Sequence, residues 1–194
     1  MGQIFYTSDT HYGHARLLLE YCPGRLKHWS TVEDMNEGLI ARWNDRVGPE
    51  DTVYHLGDFA MGRAEDAQPI FERLNGAKKI LILGNHDRSA KFMRAMGWTD
   101  VAKAATIKAP DGRVIHLAHH PQSYERLDQM RVELQLCGHI HEKWARGAAM
   151  VRTSMIPPYR DYVGHWGSPT GRIFNVGVDV RNFQPVTLAE LLGA

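Results

Sequence analysis

The chain has 194 residues, 43% of them hydrophobic and 23% charged, with a net charge of +1. That is enough chain for one substantial domain, 1–194, and short for two. The near-neutral charge argues against a groove for extended nucleic acid, where several cationic phosphate contacts are needed. Two cysteines, Cys22 and Cys137, exclude a disulfide framework and suit a reducing, cytoplasmic setting; no apolar run reads as a signal peptide or a membrane span.

The first apolar run, QIFYT (3–7), has the length of a strand. Ser30-Thr31-Val32-Glu33 is a capping-box pattern and opens a helix with Met35, Leu39, Ile40, Trp43 and Val47 on one side. TVYHL (52–56) reads as a second strand, Ala64 to Leu74 as a helix, KKILIL (78–83) as a strand and Ser89 to Met96 as a helix. Pro110-Asp111-Gly112 is a hairpin signal before RVIHLA (113–118). VELQLC (132–137) and RIFNVGV (172–178) follow as strands, and Val186 to Leu192 closes in a short helix. Strands alternating with helices and a hairpin predict an α/β fold with mixed sheets. The segment 142–171 has no clear period, is locally basic and holds Trp144, Tyr159, Tyr162 and Trp166. Its aromatic content suits an ordered lid or an interface, such as a homodimer contact, better than a solvated linker.

There are eleven histidines, and they are not evenly spread. Five apolar runs end in residues able to bind metal: Asp9-Thr10-His11, Gly57-Asp58, Gly84-Asn85-His86-Asp87, His119-His120-Pro121 and Gly138-His139-Ile140-His141. Ligand sites in open α/β sheets gather beyond the carboxyl ends of strands. In extended chain, residues two apart point the same way, so Asp9 with His11, and His139 with His141, can aim at one site. Carboxylate, imidazole and amide oxygen without thiolate suit Mn, Fe or Zn. Asp9, His11, Asp58, Asn85, His119, His139 and His141 are too many for one ion and fit two, roughly 3.5–4 Å apart. Such a pair can hold a bridging hydroxide for in-line attack at phosphorus. His55 and His116, inside apolar runs, read as buried strand residues, and His28 as a surface residue.

The ordered set D-x-H, G-D, G-N-H-D, H and G-H-x-H, residues 9 to 141, resembles the calcineurin-like metallophosphoesterase superfamily. DTHYGH, DTVYHLGDF and NVGVDVRNFQPV are also similar to a group of small bacterial and phage phosphoesterases. The resemblance implies a four-layered αββα sandwich. It implies one ion held by Asp9, His11, Asp58 and His141, and another by Asp58, Asn85, His119 and His139, manganese being the first expectation. It favours His119 over His120, because the pattern puts the ligand two residues before a proline. It gives His86 contact with the scissile phosphate or leaving group, aimed by Asp87 accepting its other ring proton. His14 falls outside D-x-H and is expected beside the ligands or in the phosphate pocket. Arg88 either meets a substrate phosphate or caps a helix, and His165 is a candidate substrate contact. The implied activity is hydrolysis of small phosphate mono- or diesters, nucleotides among them. Alternatives are a non-catalytic interaction module on the same fold, and a nuclease acting on short nucleic-acid ends.

Overall fold

The computed structural model describes residues 2–143, 145–152, 162–166 and 171–193. The six apolar runs are strands β1 (Ile4–Thr7), β2 (Thr52–His55), β3 (Lys78–Ile82), β6 (Val114–Ala118), β7 (Leu134–Cys137) and β10 (Ile173–Asn175). Five further strands are β4 (Asp100–Ala102), β5 (Ala104–Lys108), β8 (Arg146–Arg152), β9 (Tyr162–Trp166) and β11 (Val186–Thr187). One sheet has the order β11-β1-β2-β3-β4 and the other β5-β6-β7-β10-β8-β9. Both are mixed: β1 to β4 run parallel with β11 reversed, and β6, β7 and β10 run parallel with β5 and β8 reversed. The Pro110 hairpin joins β5 to β6, with Gly112 at φ 93°.

The period of two along the strands sorts their side chains into layers. Phe5, Val53 and Leu81 point to one face of the first sheet, into a cluster with Met35, Trp43, Phe71 and Met93. These come from α1 (Val32–Arg46), α2 (Ala64–Arg73) and α3 (Ala90–Met96). Tyr6 and Ile82 point to the other face and meet Ile115, Leu117, Leu136 and Phe174 of the second sheet. Leu127 of α4 (Tyr124–Gln129) packs with Cys137 and Ile173 on that sheet's outer face. The order is helices, sheet, sheet, helix, with burial of each large apolar side chain worth about 1.5–3 kcal/mol. The short helix α5 (Leu188–Leu192) adds Leu191 to the layer between the sheets.

Helix starts depart from the sequence reading in one place. The N-cap of α1 is Thr31, not Ser30: its hydroxyl accepts the Asp34 N–H at 3.1 Å. Thr31 is the last residue with extended backbone (φ −127°, ψ 163°), so its oxygen is the one that overhangs the first turn. A complete capping box stands instead at Thr187–Glu190. The segment 142–171 is not wholly irregular, since β8 and β9 pair antiparallel within it. Residues 153–161 and 167–170, and with them much of the expected lid, lie outside the described residues. No helix among the described residues is long and apolar enough to cross a membrane.

Candidate metal centre

The carboxyl ends of β1, β2 and β3 deliver Asp9 with His11, Asp58 and Asn85; those of β6 and β7 deliver His119, His139 and His141. The loops interlock. The His139 N–H donates to both Asp9 carboxylate oxygens at 3.0 Å, and the Gly138 N–H to the His119 carbonyl at 3.0 Å. Asp9 is fully buried and Asp58 2% exposed.

The two halves of each pair do not converge through extended chain, as the spacing predicts. Among the described residues eight non-glycine residues have positive φ, and five of them are Asp9 (57°), His11 (50°), Asp58 (59°), His139 (71°) and His141 (46°). The left-handed region costs such residues about 1–2 kcal/mol each. That cost is sustained by an interlocked backbone: Asp9 N–H donates to the Gly57 carbonyl at 3.0 Å and His11 N–H to the Asp58 carbonyl at 3.1 Å. Left-handed turns after each strand bring Asp9 and His11 together with His141, all with ligand atoms within 4.8 Å of one another. His139 is turned elsewhere and clusters with His119 and His120.

Asp58 stands between the two groups. Its Oδ2 is 3.5 Å from His11 Nε2 and 3.3 Å from His119 Nε2. Asn85 Oδ1 lies 3.1 Å from both His119 Nε2 and His139 Nδ1. His119 Nδ1 donates to the Leu56 carbonyl at 2.7 Å, which leaves Nε2 as its ligand atom. His11 Nε2 is buried and makes no hydrogen bond. A buried imidazole nitrogen without a partner, set among carboxylate and amide oxygens, fits a divalent cation of the Mn, Fe or Zn kind.

Charge follows the same layout. Burial would raise the Asp58 carboxyl, but the His119 and His11 rings outweigh it and hold it below the usual carboxylate range. Burial pushes His11 well down, and burial with His120 and His119 nearby pushes His139 down to about 3, so both rings are neutral. Burial also opposes charge on His119 and His141, yet neighbouring carboxylates prevail: Asp58 lifts His119 to about 9, and Asp179 lifts His141 to about 11. The protons on these two rings supply the positive charge that metal ions would bring.

Two glycines are required by close approach. A Cβ at Gly84 would lie 2.2 Å from Asp58 Oδ1, and one at Gly138 would lie 2.0 Å from Ser8 Oγ and 2.4 Å from Asp9 Oδ2. His86 is exposed, its ring 5.4 Å from His11 and 6.3 Å from His14, and its N–H donates to Asp58 Oδ1 at 2.8 Å. His14 lies against both rings, its Nδ1 3.4 Å from His11 Nδ1. His120 packs tilted against His139, ring centroids 4.1 Å apart, whereas His119 faces Asp58.

Asp87 does not do the work expected of it. Its oxygens accept three backbone N–H groups: Gly84 at 2.8 Å, Asp58 at 2.9 Å and Phe59 at 3.0 Å. The loop curls back on itself within three residues, so the carboxylate clips the Asp58 turn instead of reaching the His86 ring. The Asp87→Ala variant should lose about 2–4 kcal/mol of stability, as three N–H groups lose their acceptor. Urea denaturation of the metal-free protein checks this; unchanged stability with a reduced rate would return Asp87 to the role of aiming His86. Arg88 caps no helix, since the N-cap of α3 is Ser89; its guanidinium donates to the Gly62 carbonyl at 2.9 Å and stacks on Phe92. The backbone of His165 lies in β9, and its side chain is outside the described residues.

Sequence reasoning missed Arg25 and Asp179, a buried pair joined at 2.7 Å beside His141. They are 154 residues apart, and the available signal was the NVGVDVRNFQPV stretch, whose likeness carried no role for its residues.

The model of the calcineurin-like phosphoesterase superfamily domain matches residues 3–154. An uncharacterized protein of Methanocaldococcus jannaschii is 36% identical over 130 residues, 62% of this chain and 70% of that protein. The Gene 66 protein of Mycobacterium phage D29 is 30% identical over 189 residues, 84% of this chain and 88% of its own length. A crystal structure of a protein of unknown function from Aquifex aeolicus superposes with a TM-score of 0.70 at 20% identity, over 98% of both chains, and so shares the fold. With its ligand-type residues gathered at one edge of two packed sheets, the chain belongs to the calcineurin-like phosphoesterase superfamily.

Proposed function

We propose that the protein is a dinuclear metal-dependent phosphoesterase acting on small phosphate mono- or diesters. The observation that carries this reading is Asp58 Oδ2, set 3.5 Å from His11 of one ligand group and 3.3 Å from His119 of the other. A single carboxylate facing two groups is what a pair of adjacent cations needs to be bridged. Asp9, His11, Asp58 and His141 would hold one ion; Asp58, Asn85, His119 and His139 the other. Bound there, two divalent ions would activate water and draw charge from the phosphoryl oxygens. His86, exposed at the lip of the site, carries a proton to the leaving oxygen, and His14 lies behind it to position the phosphate. Asp87 and Gly84 keep the Asp58 turn in place, so that the bridging oxygen is preorganised.

The test is hydrolysis of p-nitrophenyl phosphate and bis(p-nitrophenyl) phosphate by protein reconstituted with Mn²⁺, Fe²⁺ or Zn²⁺ against the metal-free form. Metal-stimulated turnover of either ester supports the proposal, the preferred ester telling mono- from diesterase; no turnover of either, with metal bound, overturns it. Metal affinity should also depend on pH. A metal needs His119 and His141 without their second protons, so binding should tighten as pH rises, weakening below about 11 as His141 takes its proton and more steeply below about 9 as His119 does. The slope is about tenfold per pH unit for each displaced proton. Calorimetry in buffers of different ionisation heat reads the proton release directly.

A further inference from the structure

The stretch Asn175 to Arg181 supplies no ligand to either group, yet it is built into the backbone that presents them. Asn175 Nδ2 donates to the His141 carbonyl at 2.8 Å, and the Val178 N–H to the Ser8 carbonyl at 3.1 Å. Asp179 Oδ2 is 2.8 Å from His141 Nδ1. A carboxylate only accepts, so the ring must donate from Nδ1, and Nε2 is the nitrogen that offers a lone pair once the second proton is displaced. The same carboxylate takes Arg25 side-on, Nε at 2.7 Å and Nη2 at 2.9 Å. Arg25 in turn donates from Nη2 to the Asp9 carbonyl at 2.7 Å and from Nη1 to the Thr10 carbonyl at 3.0 Å.

This pair is almost wholly removed from water, with side-chain exposures of 1% and 4%. A buried ion pair is a poor source of stability, because desolvation cancels most of the attraction and apolar substitutes often serve as well. What apolar substitutes cannot do is accept the His141 proton and hold two carbonyls of a left-handed turn. Resting on the proposed metal centre, we infer that Arg25 and Asp179 are its positioning residues. Asp179 sets which nitrogen His141 offers, and Arg25 ties that carboxylate to the Asp9–Thr10 turn, so that the two ends of one ligand group are held in register although they lie far apart in the chain.

The experiment is a Mn²⁺ titration of the metal-free 194-residue chain, wild type against Asp179→Asn. The wild type should fill two sites. Asp179→Asn should weaken one of them 10–100-fold, the scale on which partners of metal-bound histidines act, and leave the other within about twofold. In turnover, kcat should fall while KM stays near the wild-type value. Should the single variant fail to fold because Arg25 is left with an unpaired charge, the double variant Arg25→Met/Asp179→Asn removes both charges and carries the same expectation. A folded variant that binds both ions as tightly as wild type, with only its melting temperature lowered, overturns the inference. A wild-type chain that takes up no Mn²⁺ overturns the proposed function itself and the inference with it.

Discussion

The Asp58→Asn variant is expected to lose about 10³-fold or more in kcat/KM. In the proposed centre the bridging charge would serve both ligand groups, and metal-assisted catalysis supplies several kcal/mol of stabilisation at about 1.4 kcal/mol per tenfold. The amide keeps the shape of the carboxylate and can still accept the His86 N–H, so the turn should survive. It cannot carry the negative charge that the His119 and His11 rings hold in place. Circular dichroism should be unchanged, and Mn²⁺ content should fall below two per chain by elemental analysis. The sign of the pH effect is fixed by the depressed carboxyl: its stabilising charge is present above the usual carboxylate range and is lost as pH falls through the folded value, so wild type should lose more stability in acid than the variant. Wild-type turnover in Asp58→Asn would remove the bridge from the mechanism.

The second large effect is at His86. His86→Ala should lower kcat by about 10²–10⁴-fold, the usual worth of a positioned general acid, with both metals retained. The variant keeps the backbone N–H that binds Asp58 Oδ1, so the ligand geometry is not the variable being changed. The loss should depend on the substrate. An alkyl phosphate, whose leaving oxygen needs a proton, should suffer more than a p-nitrophenyl ester, whose leaving group departs as the anion. Equal losses on both would make His86 a phosphate-positioning residue, and no loss on either would sink its catalytic assignment.

Much of this arrangement is legible in the chain itself. Six apolar runs of strand length are strands, and the polar residues that end five of them meet at one edge, because parallel strands deliver their carboxyl ends together. What stayed illegible has physical causes. β4 and β11 have three and two residues, too few to show a period. α4 buries a single side chain, Leu127, so its apolar pattern is nearly absent. The convergence of Asp9 with His11 looks like a strand period in the sequence but is made by two left-handed turns, which depend on backbone bonds to residues 57 and 58. Asp87 follows His86 directly, which invites a side-chain pairing; its true partners are N–H groups that no residue type announces. The Arg25–Asp179 pair joins distant, common residue types, and only the fold brings them together.

The seven candidate ligand positions are divided between the layers: Asp9, His11, Asp58 and Asn85 leave the first sheet, and His119, His139 and His141 leave the second. Ions shared across that boundary would act as rivets between two half-shells that already meet through apolar contact and a few hydrogen bonds, such as that of the His139 N–H to Asp9. Each ion's contribution would be RT ln(1 + [L]/Kd), about 2.7 kcal/mol at a hundredfold excess over Kd. The protein's resistance to proteases and heat would then follow the free metal concentration around it, and a chelator would loosen the shell as well as silence it.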